Sequence, residues 1–349
     1  MHFTRESIFI NALRAFCNAF AVVLGIVLAV FIFFLFSGLS SPETFLPEKS
    51  QLTIYPDANG NRSMLPTSSP VVLRLDFHGV IGERDLTRSK FENLLLDSRE
   101  GLLQNGRVKA ILMHIDTPGG TVTDADGIYR LLINYKKKYG VPVYAYVDGL
   151  CASGGMYIAS AADKIFASST SVIGSIGVIQ GPYFNFVDLM QKYGIQSKTL
   201  TEGKDKDLLN PFRPWKQNED GPLVEVMQYF YKQFVDIVTS ARPRLNKEKL
   251  IHEYGAHVFD PVQAMALGYI DQADSSYEEA LSALINEGGI KEKEEYQVIS
   301  LSPRHSFISQ FTDSEFSLLK GQIKHTLPIG PYINSEMSGK ILYLYQPTQ

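Results

Sequence analysis

Apolar and polar positions fall into three regimes along this chain. Residues 15–36 are apolar on every side, with no charge across 22 positions and Asn18 as the one strongly polar side chain. As a helix this run is about 33 Å long, slightly more than the ~30 Å hydrocarbon core of a bilayer. A soluble surface helix would keep a polar face, and this segment has none. Residues 37–70 lose the apolar spacing and turn to Ser, Pro, Asn and Gly, the composition of a linker. From Val71 onward, short apolar runs alternate with stretches of helical periodicity.

That alternation predicts strands over 71–77, 108–115, 141–147, 164–167, 196–200 and 296–301. It predicts helices over 86–105, 121–138, 153–162, 184–193, 220–241, 247–254, 261–266, 277–285 and 307–325. Thr121 and Asp124 form a box-like start for the second of these. Strands that are apolar throughout and separated by helices pair in parallel through right-handed crossovers, so the expected class is α/β. Residues 326–349 fit no pattern, and no internal repeat is present.

Two glycine turns interrupt this pattern. Asp116-Thr117-Pro118-Gly119-Gly120 ends one strand, and Cys151-Ala152-Ser153-Gly154-Gly155-Met156-Tyr157 joins another to a helix. Ser153 then sits at a helix N-terminus, where unpaired N–H groups stabilise negative charge. A nucleophile beside two backbone donors is the layout of an acyl-transfer site. A close-packed turn of small residues is the alternative use of such a sequence.

A serine needs a base. His2, His78, His114, His252, His257, His305 and His325 are the seven histidines, and none stands in a motif that aims it at Ser153. A lysine serves when burial keeps its amine neutral. The candidate region is 202–212, a glycine turn followed by alternating charges that include Lys204 and Lys206 and then an apolar pair, a composition that is more often just a solvated loop.

Composition narrows the function classes. The net charge of -4 gives no footprint for nucleic acid. The two cysteines, Cys17 and Cys151, do not report a redox compartment, because Cys17 lies in the apolar run. No metal-ligand or nucleotide-binding motif occurs, so no metal and no cofactor is expected. Arg5 and Arg14 precede the apolar run and Glu43 is the first charge after it, which places the N-terminus in the cytoplasm. A cleaved signal peptide, with a small-residue site near residues 38–40, is the competing reading.

The ordered set of P-G-G, A-S-G-G-x-Y-I-A-x-A-A-D-x-I, G-S-I-G-V-I and G-x-x-K-D resembles the signal peptide peptidase A family of serine proteases, peptidase family S49, in its single-module form. The resemblance covers residues 71–273. It implies a ClpP/crotonase-like fold and a Ser–Lys dyad that uses no histidine. Matched residue by residue, Ser153 is the nucleophile and Lys206 the general base. Gly120 and Gly154 supply the oxyanion amides, and Ser175 hydrogen-bonds the lysine amine. Cys151 stands where many relatives have alanine, and Thr117 where many have serine.

The resemblance further implies a ring-shaped homo-oligomer with active sites shared between neighbours. Signal peptides and other apolar peptides are the implied substrates, adding as a strand along residues 174–179. The expected organisation is a cytoplasmic N-terminus (1–14), a transmembrane anchor (15–36), a linker (37–70), a protease domain (71–275) and a C-terminal extension (276–349). The anchor is expected in the inner (plasma) membrane, with the lipid bilayer as partner and the catalytic domain on the extracytoplasmic side. The competing functions are a crotonase-like acyl-CoA enzyme, a non-catalytic membrane scaffold and a Cys151 thiol protease.

Overall fold

The computed structural model describes residues 8–40, 50–291, 294–302 and 340–345. The chain divides into two units, Met1–Glu48 and Lys49–Gln349. The first contains helix α1 (Ile8–Ser40), within which Leu13–Phe33 is long and apolar enough to cross a membrane.

The second unit is built on an eight-stranded mixed sheet. Its strands are β1 (Gln51–Tyr55), β2 (Val71–His78), β3 (Val108–Thr117), β5 (Val143–Ala152), β6 (Lys164–Ala167), β7 (Val172–Gly174), β8 (Val258–Phe259) and β9 (Gln297–Ser302). The path runs β1-β9-β2-β3-β5-β7-β8, with β6 also paired to β5. The central pairs β9-β2, β2-β3, β3-β5, β5-β6 and β5-β7 are parallel. Only the edges β1-β9 and β7-β8 are antiparallel. This is the α/β class that the near-continuous apolar runs called for, since a parallel sheet is covered on both faces.

Alternate residues face opposite sides. Leu73, Leu75 and Phe77, with Ile111, Met113 and Ile115, pack under α2 (Arg88–Asp97), α3 (Val122–Tyr139), α4 (Gly154–Ala159) and α6 (Gly221–Ala241). Val72, Leu112, Tyr144 and Tyr146 face α9 (Tyr277–Glu287), which buries Ala280, Leu281 and Leu284. Helix α3 starts as its sequence indicated: the Thr121 side chain accepts from the Asp124 N–H at its cap.

Three expectations are revised. The expected linker contributes β1, whose Ile54 pairs with Ile299 of β9, so part of 37–70 is sheet. The expected C-terminal extension supplies α9 and β9 to the same core. No strand forms over 196–200, where Leu200 is 84% exposed and finds no neighbouring strand. The helix expected over 307–325 lies outside the described residues.

A further strand occurs near the end of the chain. The strand β10 (Leu342–Leu344) runs antiparallel to β4 (Gly119–Thr121) and pairs Tyr343 with Gly120. Its other edge bonds Ile179: the Leu342 N–H donates to the Ile179 carbonyl, and the Leu342 carbonyl accepts from the Ile179 N–H, each at 2.9 Å.

Candidate active site

Strand β5 ends at Ala152, and the chain reverses at Ser153 to enter α4. Ser153 holds φ 53° and ψ -115°, a conformation L-residues seldom take. Two main-chain bonds impose it. The Ser153 N–H donates to the Gly174 carbonyl at 2.8 Å, and the Ser153 carbonyl accepts from Tyr157 N–H at 3.1 Å as the first bond of α4. The residue is 1% exposed. The small residues around it are sterically required: a Cβ on Gly155 would lie 2.8 Å from Thr117 Cγ2.

The second glycine turn is built against the first. Thr117 Oγ1 donates to the Gly79 carbonyl and accepts from Gly119 N–H at 3.1 Å, which shapes the corner around Pro118. Ile81 then pairs with one edge of β4: Ile81 N–H donates to Gly119 and Thr121 N–H donates to Ile81. Successive backbone groups alternate in direction, so the Gly120 N–H points to the opposite edge. A Cβ on Gly154 would lie 3.2 Å from both Gly119 Cα and Gly120 N. The structure therefore brings Ser153, Gly154 and Gly120 together, as their sequence positions suggested.

Ser175 belongs to the same corner. It follows Gly174, which pairs with Ala152, just as Ser153 follows Ala152. It too has positive φ, 54°, and its N–H donates to the His257 carbonyl at 2.7 Å. Ser175 is buried.

Lys206 is not brought to Ser153 within one chain. It is exposed, and among the described residues its amine makes no hydrogen bond or ion pair. Its loop is nevertheless braced. Arg213 bridges Asp207 at 2.7 Å and Glu219 at 2.8 Å, and donates to the Asp207 carbonyl at 2.8 Å. The Arg213 guanidinium holds the Asp207 carboxyl below its ordinary range. Burial works against ionisation of Glu219, but the same guanidinium overcomes it and lowers that carboxyl too. This brace was not legible in the sequence, where Arg213 stood in a charged loop without pattern.

Cys151 is fully buried, with Sγ 3.5 Å from Met156 Sδ, and burial pushes its thiol up to about 12. Such a thiol is not a nucleophile near neutral pH. His114 stacks on Tyr146 and meets Tyr277 edge-on, on the α9 side of the sheet, whereas α4 lies on the other side. Asp76, His78 and His114 offer donor atoms within 4.8 Å of one another. The Arg74 guanidinium occupies that cluster, 2.8 Å from His114 Nδ1 and 2.7 Å from Asp76 Oδ1, and a cation there opposes a metal ion.

Residues 135–291 match peptidase family S49. Over 226 residues the chain is 30% identical to a candidate signal peptide peptidase SppA of Enterococcus faecium, covering 63% of this chain and 64% of that one. It is 31% identical over 206 residues to a candidate protease of Methanocaldococcus jannaschii, covering 59% and 63%. The chain thus spans under two thirds of the length of either relative. Among solved structures, a mutant of the 1510-N membrane-bound stomatin-specific protease is similar at TM-score 0.42 and 18% identity, covering 68% of this chain and 100% of that one. The segment that carries Ser153, Ser175 and Lys206 therefore belongs to peptidase family S49, in its SppA-like form.

Proposed function

We propose that this chain is a membrane-anchored serine endopeptidase working through a Ser153–Lys206 dyad. The observation that carries the reading is the buried, positive-φ Ser153 at the start of α4, with the Gly154 and Gly120 amides beside it. Ser153 Oγ attacks a peptide carbonyl, and the two glycine N–H groups receive the developing oxyanion. Losing one such donor typically costs about 10²–10³ in rate.

Lys206 takes the serine proton and returns it to the leaving amine, with the Ser175 hydroxyl orienting the lysine. In the single chain Lys206 is exposed, which fits a base that completes the site of a neighbouring copy in a ring. There, loss of water around the amine favours its neutral form. The surface around this loop supports such packing: Tyr193, Ile195, Leu200 and Phe212 are all exposed. Large exposed apolar side chains that form a contiguous patch mark interaction sites.

Helix α1 would hold the ring at the membrane. Arg5 and Arg14 ahead of the span put the catalytic unit on the extracytoplasmic side of a bacterial inner membrane. Signal peptides and other small apolar peptides are the substrates that reach such a site, and they bind extended, as an added strand. The test is covalent labelling with a fluorophosphonate. Wild-type protein should be labelled and Ser153→Ala should not; labelling of both to the same extent refutes the assignment.

A further inference from the structure

We propose that Thr117 is the positioning residue that sets the two glycine amides of the site against each other, its hydroxyl holding one turn and its methyl the other. The inference rests on the reading of Ser153 as nucleophile and adds the side chain that gauges the oxyanion pocket.

The sheet places Thr117 between the turns. Strands β3 and β5 pair in register from Ile111–Val143 to Ile115–Val147, and there the ladder breaks. It resumes with Thr117 opposite Cys151, residues 148–150 standing against Asp116 alone. Asp116 fastens this irregularity, since its carboxylate accepts the Leu150 N–H at 2.9 Å. Thr117 thereby lies across from the residue two ahead of Ser153, and it is fully buried.

The hydroxyl serves the Pro-Gly-Gly turn. Gly119 has φ +98°, in a region where glycine moves freely, so its orientation must be imposed from outside. Two bonds do so. The Gly119 N–H donates to Thr117 Oγ1 at 3.1 Å, and the Gly119 carbonyl accepts from the Ile81 N–H at 2.8 Å. Thr117 Oγ1 is itself fixed, because it donates to the Gly79 carbonyl. The Gly119 carbonyl and the Gly120 N–H belong to one planar peptide group, so holding Gly119 at both ends aims the Gly120 N–H.

The methyl serves the Ser-Gly-Gly turn. A Cβ on Gly155 would lie 2.8 Å from Thr117 Cγ2 and 3.2 Å from the Thr117 carbonyl oxygen, so this glycine packs directly on the threonine. The turns also meet each other: a Cβ on Gly119 would lie 2.7 Å from the Gly154 nitrogen. A β-branched side chain is stiff at χ1, so its two branches keep a fixed separation. Thr117 transmits that separation to the Gly120 and Gly154 amides. Valine would keep the methyl contact and lose the hydroxyl, leaving the buried Gly119 N–H without its acceptor. Serine would keep the hydroxyl and lose the methyl.

The test is steady-state hydrolysis of an apolar fluorogenic peptide by the full-length protein in detergent. It is paired with inhibition by a peptide aldehyde, whose adduct with the serine puts an oxyanion between the two amides. Thr117→Val should lower kcat roughly ten- to a hundredfold while KM stays within about twofold. Its aldehyde Ki should rise by the same factor, since only the tetrahedral, charged state uses the amides. Thr117→Ser should recover most of that loss and settle about threefold below wild type in both kcat and aldehyde affinity, the remainder being the methyl's hold on Gly155. If the valine variant does not fold, the serine variant decides by the same two readouts. Variants that lose thermal stability but keep kcat and aldehyde affinity, or that raise KM at constant kcat, overturn this inference alone and leave Thr117 a packing residue. A wild type that neither hydrolyses peptide nor takes fluorophosphonate overturns the nucleophile assignment, and this inference with it.

Discussion

The main-chain N–H of Ser153 donates to the carbonyl of Gly174 at 2.8 Å. This bond ties the turn that carries Ser153, the proposed nucleophile, to the turn that carries Ser175, so the two serines are positioned as one unit. Gly174 is suited to it for two reasons: its φ is +128°, and a Cβ there would lie 2.5 Å from the His257 carbonyl oxygen. The expected result of Gly174→Ala is a loss of about 2 kcal/mol, from strain at positive φ and displacement of the 257 loop. Thermal unfolding reads the stability, and the rate of fluorophosphonate labelling reads the serine geometry. Both should fall together; an unchanged labelling rate would separate the two turns.

Cys151 should be silent to thiol reagents. Its burial, and a thiol pushed up to about 12, leave almost no thiolate even at mildly alkaline pH. In a Cys17→Ser background, Ellman's reagent should find no reactive thiol in native protein and one after guanidinium denaturation. Rapid native reaction would revive the thiol-protease reading that the buried position rules against.

Acid stability should depend on Asp76. Burial alone would raise this carboxyl, but the hydrogen bond from His114 and the Arg74 guanidinium outweigh it and lower it to about 2. A carboxyl lowered by folding stabilises above its unfolded value, near 4, and loses that contribution as pH falls toward 2. The shift corresponds to about 2 kcal/mol. Wild type should therefore lose that much more stability than Asp76→Asn between pH 4 and pH 2, measured by denaturant unfolding. Parallel pH curves for the two proteins would contradict the assignment.

How far the sequence discloses this structure depends on how local each feature is. The Thr121 cap, the Ser153 turn and the parallel core strands are set by spacings within a few residues, and all were readable. Strand β1 was not, because Gln51 meets Ser302 and only the distant partner makes it a strand. The same holds for Leu342–Leu344, three residues whose pairing with Gly119–Thr121 no local pattern encodes. In reverse, 196–200 had strand-like residues and no partner to pair with. At the site, Ser153, Gly154, Gly120 and Ser175 converge in one chain, whereas Lys206 stays exposed and apart from them.

The Lys206 loop should act through its brace. Arg213 joins Asp207 and Glu219 and is the residue that fixes the segment just after Lys206. Arg213→Gln keeps a polar side chain but removes the charge and the fork that grips two carboxylates. On the proposed dyad, turnover should drop about tenfold with little change in KM, because Lys206 would be misplaced while the turns at Gly120 and Ser153 are untouched. A rise in KM with unchanged kcat would instead place this loop in substrate binding.

Sharing of sites between copies makes a complementation experiment decisive. Ser153→Ala retains an intact Lys206, and Lys206→Ala retains an intact Ser153, so each homo-oligomer lacks one half of the dyad. If Lys206 serves a neighbour, a mixed ring places wild-type Ser153 beside wild-type Lys206 at some of its junctions. Co-expressed subunits should then recover about a quarter of wild-type peptidase activity under random equal mixing, since each junction needs two independent intact halves. If Lys206 served its own chain, no mixed junction would hold both groups and activity would stay at the level of the single variants. The exposed position of Lys206 in the lone chain, in a stretch that also leaves Leu200 exposed, favours recovery.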